Sequence, residues 1–230
     1  MNPLGRRAPT TWEHYEKYPL RALAGAEVPA APVTIGVSWY TNFDSPVKKG
    51  SQWWIGEGNL GQVRGGHCVA VKSAHYSDLI SWWDFYNQGS EGACVGYGSS
   101  RMMSMLNRVR YDARWLWDQA KMVDEWAGTN PGDNEGTSVN AAMKTLKAQG
   151  HVRSGKLLPA AGDGVAAYRW ASTVDEVRSV LLSPYHDKLQ AVPLLNSWGR
   201  SAYPHITWLP YTTLERLISE DGEVALVTDK

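Results

Sequence analysis

The chain has 230 residues, 43% of them hydrophobic and 20% charged, enough for one large folded domain with its own core. Lys plus Arg and Asp plus Glu balance at 23 each, so charge gives no case for binding nucleic acid or an anionic membrane. Two cysteines, Cys68 and Cys94, are fewer than a disulfide-stapled secreted protein carries. Residues 1–11 are polar, and no apolar run follows Arg6 and Arg7. No stretch approaches the roughly 18 apolar residues of a membrane span. A cytoplasmic protein without a signal peptide is expected. The 12 Trp against 2 Phe suit half-buried cleft walls, where an indole N–H finds a partner.

In chain order, residues 1–31 read as an irregular arm with one extended piece at 18–23, closed by Gly25, Pro29 and Pro32. Val33 to Tyr40 is rich in β-branched and aromatic residues and reads as a strand. Residues 41–64 read as a glycine-rich loop carrying Trp53 and Trp54. Gly65 to Val71 reads as a second strand with His67 near its start. From Ser77 the pattern turns helical. Val95, Met102, Met105, Leu106 and Val109 share a helix face over 94–109. A second helix is expected over 113–126. A third, over 139–150, is capped by Thr137 or Ser138 and closed by Gly150. Residues 151–170 read as loop. Thr173 to Leu182 reads as a short helix capped by Ser172 or Thr173 and stopped by Pro184. Strands are expected over 191–196, 206–209 and 223–227, with a short helix over 212–219. Helices thus gather in the middle and strands at both ends, which predicts a helical lobe and a β lobe with a cleft between them.

Cys94 follows a polar, glycine-bearing turn, Asn87-Gln88-Gly89-Ser90-Glu91-Gly92-Ala93. At a helix N-terminus, unpaired N–H groups and the dipole favour an anion, which makes a thiol more acidic and nucleophilic. A cysteine taken alone is more often a buried core residue, and a lone strand histidine is more often a hydrogen-bonded core group. A thiolate nucleophile needs a base, an orienter for it and oxyanion donors. His67, Asn196 and Gln88 supply those types. Asn196, in Leu195-Asn196-Ser197-Trp198-Gly199, is also compatible with an ordinary turn. Neither cysteine lies in a Cys-x-x-Cys and no His-x-x-x-His occurs, so no metal and no cofactor are expected. His75, His186 and His205 read as surface or loop residues, and His14 and His151 carry no signal. Asp163-Gly164 and Asp221-Gly222 read as turns only, and Gly56, Gly58 and Gly61 lack the strand-to-helix context of a phosphate loop.

Together these stretches resemble the papain-like cysteine peptidases, most closely the compact bacterial and phage type. Gln88 to Cys94 resembles that family's nucleophile segment, with Gln six residues ahead of Cys. Gly65 to Val71 resembles its histidine strand, and Asn196-Ser197-Trp198-Gly199 its asparagine motif. Residues 134–138 resemble the glycine segment that lines its cleft, and Pro32-Val33 and the Val174–Leu182 helix resemble its entry into the β lobe. The resemblance implies an α+β, two-lobe fold, with a helical lobe (about 76–165) against an antiparallel β-barrel-like lobe (about 1–75 and 166–230). It implies Cys94 as nucleophile, His67 as base and then acid, and Asn196 as orienter. Gln88 and the Cys94 N–H would form the oxyanion hole. Gly136 and Gly66 would meet an extended peptide, and Trp198 would shield the His–Asn bond. The implied activity is peptide-bond hydrolysis through a thioester by a monomer acting on a peptide or protein. A non-peptidase thiol amidase or transglutaminase-like enzyme, and an inactive binding protein of the same fold, are the alternatives.

The chain departs from that family in three ways. Glu91 stands where secreted members carry a disulfide cysteine. No long inhibitory pro-region is expected ahead of the domain. The order is His67, Cys94, Asn196 rather than Cys, His, Asn. Moving residues 31–75 to follow Ser183 restores the family order, so the chain reads as a segment transposition. The expectation is that the barrel still closes and His67 still faces Cys94.

Overall fold

The computed structural model describes residues 31–71, 86–125, 136–160, 162–199 and 203–229. The expected extended piece at 18–23, the helical turn-on at Ser77, His14, His75, residues 134 and 135 of the 134–138 segment and the lobe boundary near residue 75 lie outside them. The described residues form a mixed α+β fold with one eight-stranded sheet and six α-helices. Strand β1 (Val33–Tyr40) leads into a 3-10 turn (Thr41–Asp44), then β2 (Val47–Lys49), β3 (Gln52–Trp54) and β4 (Val63–Val71). Helices α1 (Cys94–Asn107), α2 (Ala113–Lys121) and α3 (Val139–Gln149) follow. The rest is β5 (Ala167–Trp170), α4 (Val174–Leu181), α5 (Pro184–Leu189), β6 (Ala191–Leu195), β7 (Ile206–Pro210), α6 (Tyr211–Ser219) and β8 (Glu223–Asp229).

The strand order is β2-β3-β7-β6-β4-β1-β8-β5. All pairings are antiparallel except β3 with β7. The expected barrel-like closure is not formed: β2 and β5 are the two edges of an open sheet. Each helps explain why it is missed in the sequence. β2 and β3 are three residues long and mostly exposed, too short for an alternation to register, so 41–64 reads as loop. β5 is half exposed, and it is its ladder to β8, not its own pattern, that makes it a strand.

The period-2 pattern of β1 sorts its side chains onto two faces. Val33, Ile35, Val37 and Trp39 join one core with Val177, Val180, Leu181, Leu214 and Leu217 of α4 and α6. On the other face, Cys68 of β4 and Ala225 of β8 join Val95, Met102 and Met103 of α1 and Met143 and Leu146 of α3. The helices therefore cover both faces of the central strands.

Local signals hold several boundaries. Ser138 caps α3 through Oγ to Ala141 N at 3.1 Å. Thr173 and Glu176 form a reciprocal capping box on α4. The α2 helix stops at Lys121 rather than 126. Past α4, Pro184–Leu189 form α5, which Ser183 caps and Pro184 opens. His186 there is buried rather than surface-exposed.

The α1 helix reaches β4 through absent side chains. A Cβ on Gly98 would meet Cys68 Sγ at 2.9 Å and its carbonyl oxygen at 3.1 Å. That approach seats the first turn of α1, with Cys94, beside His67-Cys68. Gly98→Ala is expected to push α1 off β4 and cost about 1–3 kcal/mol by overpacking. Urea unfolding of the full chain measures it.

Candidate active site

Stretches far apart in sequence meet at one cleft of about 640 Å³, whose walls include Gly66, His67, Cys94, Gly136 and Ser138. Cys94 is the first residue of α1, after Ala93 at its N-cap. His67 lies on β4 opposite Val37 of β1. The last residues of β4 pair with β6, Ala70 with Leu195 and Val71 with Leu194, so the end of β6 delivers Asn196 next to the histidine strand. His67 Nε2 and Asn196 Oδ1 are 3.1 Å apart in a buried contact.

The same Oδ1 accepts the backbone N–H of Ser197 at 2.8 Å. A group held as acceptor by a backbone donor requires its other partner to donate. Nε2 of His67 therefore carries the proton, and Nδ1 keeps a lone pair. Burial holds the His67 pKa down to about 4, against the bond to Asn196 and the nearby Asp44 carboxylate, which favour the proton. At neutral pH the imidazole is an uncharged base. Burial also raises the Cys94 thiol, while the backbone N–H groups of Cys68, Val95 and Cys94 itself favour its thiolate. Cys68 is fully buried, and burial pushes its thiol well up, which makes it the inert cysteine of the two.

Two indoles confine the imidazole. Trp198 stacks at a tilt, 5.0 Å between centroids and 30° between planes. Trp39 approaches edge-on at 4.6 Å and 75°. Tyr203 packs on Trp198 at 4.6 Å and donates its hydroxyl to Phe43 O at 2.8 Å. The loop carrying Gln88 is laced to the Asn196 motif: Gln88 N donates to Ser197 O and Gly199 N to Tyr86 O, each at 2.9 Å.

His67, Cys94, Gly66 and Gly136 line the cleft, and Asn196 and Trp198 touch His67 behind it. Gln88 is buried beside the cleft rather than on its wall, and its side-chain N–H donates to Glu91 O at 3.0 Å. Gly66 and Gly136 face open space. Glu125, Glu220, Asp221 and Glu223 complete the rim. Glu223 is spent on the α3 N-terminus, accepting from Val139 N at 2.7 Å, and Glu220 on Tyr40 Oη at 2.6 Å. Sequence reasoning missed Trp39, which looked like any aromatic in a strand; its alternation with the buried Val37 and Ile35 was the available signal. It also passed over His151 and Asp163. His151 is buried against Tyr111 at 4.4 Å and meets Ser100 Oγ at 2.8 Å. Asp163 binds Arg153 and Tyr111. Among the described residues no cluster of three or more His, Cys, Asp or Glu is arranged to hold a metal ion, and no helix is long and apolar enough to cross a membrane.

No protein-family model, no curated protein and no solved structure matches this chain.

The buried histidines make stability depend on pH. Burial lowers His67 to about 4 and both His151 and His205 to about 3, below their ordinary 6.5. Between those values the unfolded chain binds more protons than the folded one, so stability rises with pH. Stability is expected to be full above about pH 6.5 and to fall steadily on acidification. Each proton taken up only on unfolding costs about 1.4 kcal/mol per pH unit. Urea midpoints measured between neutral and mildly acidic pH give the slope, and His151→Phe should flatten it.

Proposed function

We propose that the protein is a thiol-dependent hydrolase of peptide bonds, with Cys94 as nucleophile, His67 as general base and then acid, and Asn196 as the group that orients His67. The observation that carries this reading is the 3.1 Å contact between His67 Nε2 and Asn196 Oδ1 on the wall of a cleft that also holds Cys94. Three residue types with one chemistry meet there from positions 67, 94 and 196. A papain-like arrangement, with a helical lobe and a β lobe flanking the site, accounts for the same set of residues.

In this reading His67 Nδ1 takes the thiol proton as Cys94 Sγ bonds to the substrate carbonyl carbon. The C–N bond then breaks, and the amine leaves with the proton from His67. Water, deprotonated by the same nitrogen, cleaves the thioester and returns the thiol. Burial keeps both partners neutral at rest, so proton transfer accompanies attack instead of preceding it. The Cys94 backbone N–H and the second side-chain N–H of Gln88 serve the developing oxyanion. The backbones at Gly66 and Gly136, open on the cleft side, receive an extended peptide. The chain order is consistent with the transposition: β4 reaches its place through pairing with β1 and β6, whichever end of the chain supplies it.

Cys94→Ala is expected to abolish hydrolysis of a casein or peptide-library substrate while leaving the circular dichroism spectrum unchanged. His67→Gln should lower kcat about 10²–10⁴-fold, the range for a lost general base. A thiol-directed epoxide should modify Cys94 and spare Cys68, read by mass spectrometry of tryptic fragments. Turnover surviving in Cys94→Ala defeats the assignment.

A further inference from the structure

Asp44, Trp39 and Arg64 form a chain that ends on the imidazole of His67, and the function proposed above leaves it unused. Trp39 is buried at 4% exposure, with its ring edge-on to His67. Its indole N–H donates to Asp44 Oδ1 at 3.0 Å. Asp44 Oδ2 in turn accepts from Arg64. Phe43, at 5.0 Å and 89°, and Trp198, at 5.7 Å and 78°, hold the indole on its remaining sides.

Local structure explains the placement. Asp44 closes the 3-10 turn that follows β1 directly. The β1–β4 ladder pairs Trp39 with Gly65 and Tyr40 with Val63. Arg64 is the extra residue of that bulge, which turns its side chain out of the ladder and toward Asp44. Gly65, at φ +154°, supplies the backbone freedom that such a bulge draws on. The arrangement is therefore a feature of the sheet rather than a chance surface ion pair.

We infer that Trp39 is a positioning residue for His67, and that the charge balance of Asp44 and Arg64 sets, through the Trp39 ring, how readily His67 accepts a proton. A carboxylate on the indole N–H adds electron density to the ring and makes the field it presents to the T-shaped imidazole less positive, which favours the imidazolium. Asp44 alone favours the imidazolium; Arg64, more than half exposed at 58% against 29% for Asp44, offsets it. The other titratable groups around His67 are Cys94 on α1, Tyr203 before β7, Glu125 after α2, and Glu220, Asp221 and Glu223 at the α6–β8 turn. The inference rests on reading His67 as the base, but the titration that tests it requires no activity.

The experiment is an NMR titration of the His67 imidazole in the full chain, assigned with His67→Gln. Asp44→Asn keeps the hydrogen-bond acceptor and removes the charge; it is expected to lower the His67 pKa by about 0.3–1 unit. Arg64→Gln unmasks the carboxylate and should raise it by a similar amount. Both residues reach solvent, so the fold is retained. In a Trp39→Phe background the Asp44→Asn shift should shrink by half or more. Shifts of the same sign in the two variants, or none, overturn the coupling. A full Asp44 shift surviving in Trp39→Phe overturns the role of the indole. If the opposite shifts appear and the unmodified protein hydrolyses no peptide, the proposed function fails while this inference stands. Where turnover is measurable, Asp44→Asn lowers kcat with KM unchanged.

Discussion

Strand β4 is paired along nearly its whole length with β1 and over its last residues with β6, and the candidate site depends on that double pairing. The β1 ladder sets which way His67 faces. A one-residue slip would turn it to the opposite face, where Cys68 packs against α1, and put Cys68 in its place. The β6 contact brings the end of the asparagine strand to the same height, so that two side chains 129 positions apart meet at 3.1 Å. The α1 helix lies against the same strand, close because Gly98 has no Cβ to hold it off. Nucleophile candidate, base candidate and orienter are thus registered against one strand, and the distances among them inherit its rigidity.

That strand pays for an imidazole at 8% exposure. Removing a charged form from water is costly, so the histidine stays neutral. What it keeps is one hydrogen-bonding partner, Asn196, fixed as acceptor by Ser197 N–H, and two indole neighbours. The neutral state gives a base with a defined tautomer, while the aromatic surroundings and the outlying Asp44 lessen the penalty when a proton arrives. Asp44 sits at the edge, where it is half solvated and costs little itself. Orientation thus comes from a neutral amide inside, and charge from a carboxylate held outside.

Much of this was legible in the residues alone. Val33 to Tyr40 forms a strand with those bounds, because β-branched and aromatic residues alternate there with small or polar ones. The Ser138 and Thr173 caps are read from residue type and spacing. Cys94 at a helix start, Asn196 just past a strand end and His67 after two glycines of its strand are legible from their flanks. What was not legible depends on partners. Trp39 carries nothing in its flanks that distinguishes it from Trp53, and only the register against β4 turns it onto His67. His186 follows Pro184 in what reads as a connector; burial against Trp208 is a property of the packed molecule. The open sheet was missed because closure is decided by its edges, β2 and β5, which are the elements with the weakest patterns of their own.

The order of the three residues along the chain bears on how such a site tolerates rearrangement. An antiparallel strand between two neighbours is specified by its faces and its register, and neither records the direction from which the chain arrived. That place needs a strand that carries His67, Val69 and Val71 on one side, packs Cys68 on the other and ends beside Leu195. The β1–β4 unit meets those terms as an antiparallel pair joined through residues 41–62, so it can move as a block without breaking its own ladder. The step from α4 to β6 is spanned by α5, anchored by Arg178 Nε to Asp187 Oδ1 at 2.8 Å and by Tyr211 N to Gln190 O at 2.8 Å. A helix turn that caps itself with Ser183 and docks on both neighbours makes that connection with satisfied backbone groups, so the sheet needs no longer link at this point.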